Sequence, residues 1–174
     1  MTEQFTLMIK GAQGSGESLT VSAPWDGSEI AQVPYACSAD IELALATAHK
    51  IFSDRKAWLP KPERLQILEK TAALMQQQKE WLAIEAAREG GKPLLDSRVE
   101  VTRAIDGIKS CIEVLRTDSG QEIPMGLNAA SMQRLAFTHK EPIGVVVAIS
   151  AFNHPLNLIV HQVGPAIAAG CPVI

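Results

Sequence analysis

The residues in this chain best suited to chemistry are Ser150-Ala151-Phe152-Asn153-His154. They form a polar-aromatic knot in a stretch, Pro142 to Ile174, that holds no Asp, Glu, Lys or Arg. A side-chain amide is a neutral group with two N–H donors. Held rigidly, Asn153 can donate to an oxygen that gains negative charge as a carbonyl is attacked. Loss of one such donor costs roughly 3–4 kcal/mol of barrier. Asn is also a frequent turn and cap residue, and residue type alone leaves both readings open. His154 reads as a helix-start residue supporting its neighbours rather than as a general base.

The elements that must position this knot can be read on either side of it. Gly144 opens an apolar, β-branched run to Ile149, the pattern of a strand buried on both faces of a parallel sheet. Pro155 suits the first position of a helix, where its missing N–H costs nothing. Leu156, Ile159, Val160, Val163 and Ile167 recur at helical spacing, Gly170 is a helix stop, and Pro172-Val173-Ile174 begins a second strand. The unit is therefore strand–loop–helix–strand, with Ser150 to His154 at the carboxyl end of the first strand, where open α/β sheets bind ligands. A membrane span is the competing reading of so long an uncharged stretch. Pro155, Pro165 and Pro172, with Asn153, His154, Asn157, His161 and Gln162, break it too often for a lipid-facing helix. No G-x-G-x-x-G follows the strand, so the ordinary dinucleotide fingerprint is absent.

The run P-I-G-V-V-V-A-I-S-A-F-N-H-P-L-N, with A-I-A-A-G-C-P-V-I after it and Glu89-Gly90-Gly91-Lys92-Pro93 upstream, resembles the aldehyde dehydrogenase superfamily, whose members are NAD(P)-dependent. The order and spacing of the intervening segments match as well, so the resemblance covers nearly the whole chain. It implies an α/β fold: the N-terminal part of the aldehyde dehydrogenase architecture, with helices, the first βαβ of a parallel-sheet cofactor domain and a protruding β-hairpin. The divisions it implies are 1–120 for N-terminal strands and helices, 121–140 for an oligomerisation hairpin, and 141–174 for the first βαβ. It also implies that Asn153 stabilises the oxyanion of a tetrahedral intermediate. Ile149, Ser150, Ala151 and Phe152 are expected to line an NAD or NADP site through backbone and van der Waals contact. The family usually has Thr-Pro at Ser150-Ala151, often Trp at Phe152 and often Phe at His154. Neither the Ser150-Ala151 nor the Phe152 difference removes a backbone contact.

In the resembled family the nucleophilic Cys, the general-base Glu and the pyrophosphate-facing glycines come later than any counterpart here. The expectation is an N-terminal portion that does not turn over aldehyde by itself, acting in the complete enzyme on a small aldehyde within a homo-dimer or tetramer. The alternative is a natural truncation that serves as a binding or assembly module for a full-length subunit. A third, weaker reading is a free-standing hydrolase using Cys171 or Cys111 with His154 or His161.

Composition is consistent with an ordinary globular domain: 174 residues, 47% hydrophobic and 20% charged, with net charge −3. That charge gives no electrostatic reason to expect nucleic acid or an anionic membrane as partner. The N-terminus lacks a secretory pattern. Cys37, Cys111 and Cys171 are odd in number and widely spaced, without zinc-ligand spacing, which favours a reduced, cytoplasmic setting. Cys171, opening a buried strand, reads as a structural thiol.

The remaining segments supply the scaffold. Strands and turns fill 1–36, and Gly11 to Gly16 reads as a flexible loop rather than a nucleotide loop. Ser38 is the expected N-cap of a helix with Ile41, Leu45, Ala48 and Phe52 on one face. Leu65, Leu68, Ala72 and Met75 mark a second helical stripe, and Trp81, Ile84 and Ala87 a third. After Gly90-Gly91 and Pro93, the 4-3-4-3 spacing of Val101, Ile105, Ile108, Ile112 and Leu115 predicts a long buried face. Leu135 and Phe137 alternate with polar or small residues as a half-exposed strand, with 121–125 as its hairpin partner.

Overall fold

A computed structural model describes residues 3–174. Three short strands, β1 (Glu3–Gln4), β2 (Ser18–Ser22) and β3 (Glu29–Pro34), form a sheet in the order β1-β3-β2, with β1 parallel and β2 antiparallel to β3. Four helices follow: α1 (Ser38–Ser53), α2 (Lys61–Gln77), α3 (Lys79–Gly90) and α4 (Leu94–Thr117). A two-stranded hairpin comes next, β4 (Glu122–Ile123) against β5 (Ala136–Phe137), and then α5 (Pro155–Ala169).

Helix α4 is the centre of the core. Its predicted stripe is buried from end to end: Val101, Ile105, Ile108, Ile112 and Leu115, with Ala104 between them. Leu68 and Ala72 of α2 pack on it, with Leu65 and Met75 partly buried beside them, and Val160 of α5 joins the same cluster. Ala83 of α3 packs against Val101 and Ile105. The third stripe is therefore displaced from its expected face. Trp81 and Ile84 are exposed, and the buried face of α3 is Ala83 and Ala86, small residues that let it lie close to α4. On α1 Ala48 is buried but Ile41 is exposed.

Two glycines are dictated by geometry. A Cβ at Gly164 would sit 3.2 Å from Cys111 Sγ and 3.3 Å from Ile108 Cδ1, so the approach of α5 to α4 is set by the missing side chain. Gly170 ends α5 at φ +85°, the left-handed conformation that costs other residues most. Beside it Arg64 donates from Nη1 to the Ala168 carbonyl at 2.5 Å, placing a cation at the negative end of the helix.

The first helix begins one residue earlier than expected. Cys37 is the N-cap, and Asp40 at the third helical position accepts its amide at 2.9 Å. The same buried carboxylate accepts the amides of Gln13 at 2.9 Å and Gly14 at 3.0 Å. The glycine-rich segment read as a flexible loop is thus pinned to α1. These amides, Cys37 foremost and then Gln13, hold the Asp40 carboxyl below its usual value.

The unit around the knot forms with less strand than its sequence suggests. Val146 pairs in parallel with Val173 as a single bridge, through Val146 N–H to Pro172 O (2.9 Å), Ile174 N–H to Val146 O (3.0 Å) and Ala148 N–H to Ile174 O (2.7 Å). Val147 and Ile149 are 59% and 79% exposed. The expectation of burial on both faces fails for a local reason: Val147 and Ile149 project to a face that no described element covers. Leu135 and Phe137, expected to be half exposed, are both largely exposed. The hairpin is closed at its base by the reciprocal bonds of Thr138 and Gln121 and by the Lys140–Asp118 ion pair.

Gly164→Val is expected to destabilise the chain by about 1–3 kcal/mol through overpacking of the α4–α5 contact. A urea melt with a lower midpoint and unchanged slope would show it.

Candidate active-site turn

Asn153 lies in the turn between the 146–149 segment and α5 and is exposed. Its side-chain amide has no hydrogen-bond partner among the described residues, so what the structure holds is the backbone that carries it. That backbone is held from both sides. On the strand side, Gln162 of α5 reaches back and clamps Ile149. Ile149 N–H donates to Gln162 Oε1 at 2.8 Å, and Gln162 Nε2 donates to the Ile149 carbonyl at 2.9 Å. Ser150 Oγ donates to the Pro155 carbonyl at 3.0 Å across the mouth of the turn.

On the helix side the holding group is Glu100, from the middle of α4. Its side chain is fully buried, and its Oε1 accepts the amides of Leu156 at 2.9 Å and Asn157 at 3.1 Å. Lys92 pairs with Oε2 and also approaches the Asn153 carbonyl at 3.4 Å and His154 Nδ1 at 3.2 Å. His154 Nδ1 stands 3.5 Å from the same Glu100 oxygen. Burial drives the Glu100 carboxyl upward. The Lys92 hydrogen bond, the two amides and the Lys92 charge together outweigh it, leaving the group below its ordinary value of 4.5. Glu100 is therefore an anion at neutral pH.

The sequence reading placed Ile149, Ser150, Ala151, Phe152 and Asn153 at one strand end, and the structure brings them together there. It missed Glu100 and Gln162 and gave Lys92 no role. The available signals were a lone carboxylate on the apolar face of α4, in register with Val101 and Ala104, and a glutamine in the uncharged α5. Ile149 has both backbone groups engaged by Gln162, so only its exposed side chain is left open. Phe152, 91% exposed, adds a second apolar surface beside it. These two side chains suit the flat, apolar contact expected of a nicotinamide cofactor at a strand end.

The cysteines lie apart from this turn. Cys171 is buried, and no hydrogen bond joins a cysteine to a histidine among the described residues. Cys111 borders a groove of about 370 Å³ between the carboxyl halves of α4 and α5, at the opposite end of α5 from Asn153. Burial pushes its thiol up, away from thiolate. Among the described residues no cluster of His, Cys, Asp or Glu is suited to a metal ion, and no helix is long and apolar enough to cross a membrane.

The sequence profile of the aldehyde dehydrogenase family matches residues 11–174. This chain belongs to that family. It is 34% identical over 173 residues to the 3-sulfolactaldehyde dehydrogenase of Priestia aryabhattai, covering 99% of this chain and 36% of that protein. Its fold matches aldehyde dehydrogenase 21 from Physcomitrella patens, solved with the product succinate, with TM-score 0.89 and 32% identity. That match covers 99% of this chain and 36% of the other. A glyceraldehyde-3-phosphate dehydrogenase from Methanocaldococcus jannaschii, complexed with NADP, matches with TM-score 0.81 and 35% identity, covering 91% and 33%. The chain spans about a third of the length of the curated relatives it matches. The structure is accordingly the N-terminal part of the aldehyde dehydrogenase fold.

A carboxyl whose folded pKa is lowered adds stability above its unfolded pKa and loses it as pH falls through the folded value. Acid unfolding of this aldehyde dehydrogenase chain should therefore steepen below about pH 4.5. Glu100→Gln should flatten that part of the profile, as followed by helical circular dichroism against pH.

Proposed function

We propose that the chain is the N-terminal portion of an NAD(P)-dependent aldehyde dehydrogenase and that Asn153 is its oxyanion donor. The observation that carries this reading is the unpartnered amide of Asn153 on a turn held by Gln162 on one side and by Glu100 and Lys92 on the other. A donor whose backbone is already placed reorganises less when charge develops on the aldehyde oxygen. Ile149, Ser150, Ala151 and Phe152 hold NAD or NADP against this strand end, with residues 141–174 as the first βαβ of the cofactor domain. When bound, that cofactor accepts hydride. The family membership and the NADP complex of the similar Methanocaldococcus jannaschii enzyme support this assignment.

Among the described residues Cys171 is buried, Cys111 lies at the far end of α5, and no carboxylate hydrogen-bonds to Asn153. The chain by itself does not oxidise aldehydes. Its residues position the carbonyl oxygen and the cofactor, and the attacking thiolate comes from elsewhere in the complete enzyme. The setting we assign is cytoplasmic, with a small aldehyde as substrate.

A second reading is favoured by the hairpin. Leu127, Met132, Leu135 and Phe137 are all largely exposed on 121–140, an apolar arm suited to a neighbouring subunit. The arm joins copies into a dimer or tetramer, and a shorter form retaining it would dock on full-length subunits.

Aldehyde-dependent NAD(P)H formation tests the main reading. The purified 174-residue chain should show none. The enzyme of native length should turn over, and Asn153→Ala in it should lower kcat by roughly 10²–10³-fold. Turnover by the 174-residue chain, or a native-length variant as fast as wild type, would overturn the assignment.

A further inference from the structure

We infer that Glu100, neutralised by Lys92, is a positioning residue that fixes the Asn153 turn. The inference rests on Asn153 being the oxyanion donor and names what aims it. Leu156 and Asn157 are the second and third residues of α5, whose amides have no partner within their own helix. Helices usually satisfy such amides with an N-cap side chain, but the N-cap here, His154, supplies none. Glu100 does so from another helix, 56 and 57 residues away in the chain. It places a negative charge at the positive end of α5. Lys92 closes the circuit, since it pairs with Glu100 and reaches the carbonyl of Asn153 and the ring of His154. Two side chains from 92–100 therefore hold Asn153, His154, Leu156 and Asn157, flanking the exposed amide on the chain.

Packing alone does not explain this arrangement. Glu100 stands in register with Val101, Ala104 and Ile108 on the buried side of α4, where an apolar residue would fill the space without desolvating a charge. Replacing a buried ion pair by apolar residues of similar volume is often neutral or stabilising. What the charged pair supplies, and an apolar residue cannot, is a set of directional bonds to the turn. An acceptor with both oxygens committed, plus a cation with three donors, leaves the backbone of 153–157 few orientations.

Hydrogen exchange read by NMR on the 174-residue chain tests this without turnover. Glu100→Ala should raise exchange of the Leu156 and Asn157 amides by about tenfold or more, the loss expected for a charge-assisted bond. The Ile108 and Ile112 amides of α4, which report the stability lost globally, should be accelerated much less. Glu100→Gln, which retains an acceptor oxygen in the same place, should restore most of the difference. Equal acceleration throughout α4 and α5 would make Glu100 a contributor to global stability only and overturn the inference, as would unchanged exchange at 156 and 157.

Lys92→Met keeps the Glu100 acceptor and serves if Glu100→Ala does not fold. It should shift the Asn153 side-chain amide and His154 ring resonances while Leu156 and Asn157 stay protected. Unmoved resonances would overturn the role of Lys92 in the anchor. The two readings fail separately. A normal Asn153→Ala kcat in the native-length enzyme, with the exchange pattern as expected, would sink the oxyanion role and leave the anchor standing.

Discussion

The close contact of α5 along α4 is the constraint from which the rest follows. Gly164 permits it, Val160 and the α4 stripe seal it, and every functional feature depends on the two helices keeping their register. Glu100 projects from α4 and Leu156 and Asn157 belong to α5, so their hydrogen bonds exist only while that register holds. A slip of one helical turn, about 5.4 Å along the axis, would separate every pair. The apolar seam sets the coarse position, and the buried carboxylate makes one position better than its neighbours. Dispersion and burial are non-directional, whereas hydrogen bonds to an ion are short and directional.

Helix α5 also acts on the strand that precedes it. Gln162 sits two turns into the helix and folds back onto Ile149, occupying both backbone groups of that residue. The 150–154 turn is therefore closed by its own helix at one end and by α4 at the other. Such a loop fixes where the Asn153 backbone sits and confines the remaining freedom to its side chain. Arg64 does the complementary service at the far end of α5, where it meets the Ala168 carbonyl. The first amides of the helix are thus satisfied by a charged side chain from another helix, and its last carbonyls by the local Gly170 cap together with Arg64.

How far this was legible in the sequence depends on whether a feature is periodic or pairwise. The α4 stripe, the Pro155 start and the Gly170 stop are local patterns, and all are found where the residues place them. The α3 stripe was misplaced because Trp81 and Ile84 are larger and more apolar than Ala83 and Ala86, yet closeness to α4 selects small residues. The Gly11–Gly16 segment looked free because the carboxylate that pins it, Asp40, is 26 residues further on. Glu100 was passed over for a related reason. A single charge on an apolar face has no period, and its partners lie partly eight residues before it and partly 56 after. The strand end was legible in position but not in burial, since the pattern of a run says what it prefers to be covered by and not what covers it.

The departure at His154 bears on the chemistry of the turn. In place of the apolar residue the family often carries there, an imidazole points its Nδ1 at the Lys92–Glu100 pair. Lys92 can donate to that nitrogen only while it is unprotonated. A proton placed there would face the ammonium at 3.2 Å and draw instead on the carboxylate at 3.5 Å. Glu100 would then be shared between two cations while still capping α5. One ammonium, that of Lys92, therefore meets both the Asn153 carbonyl and the His154 ring, which ties the placement of the turn to the residue that opens α5.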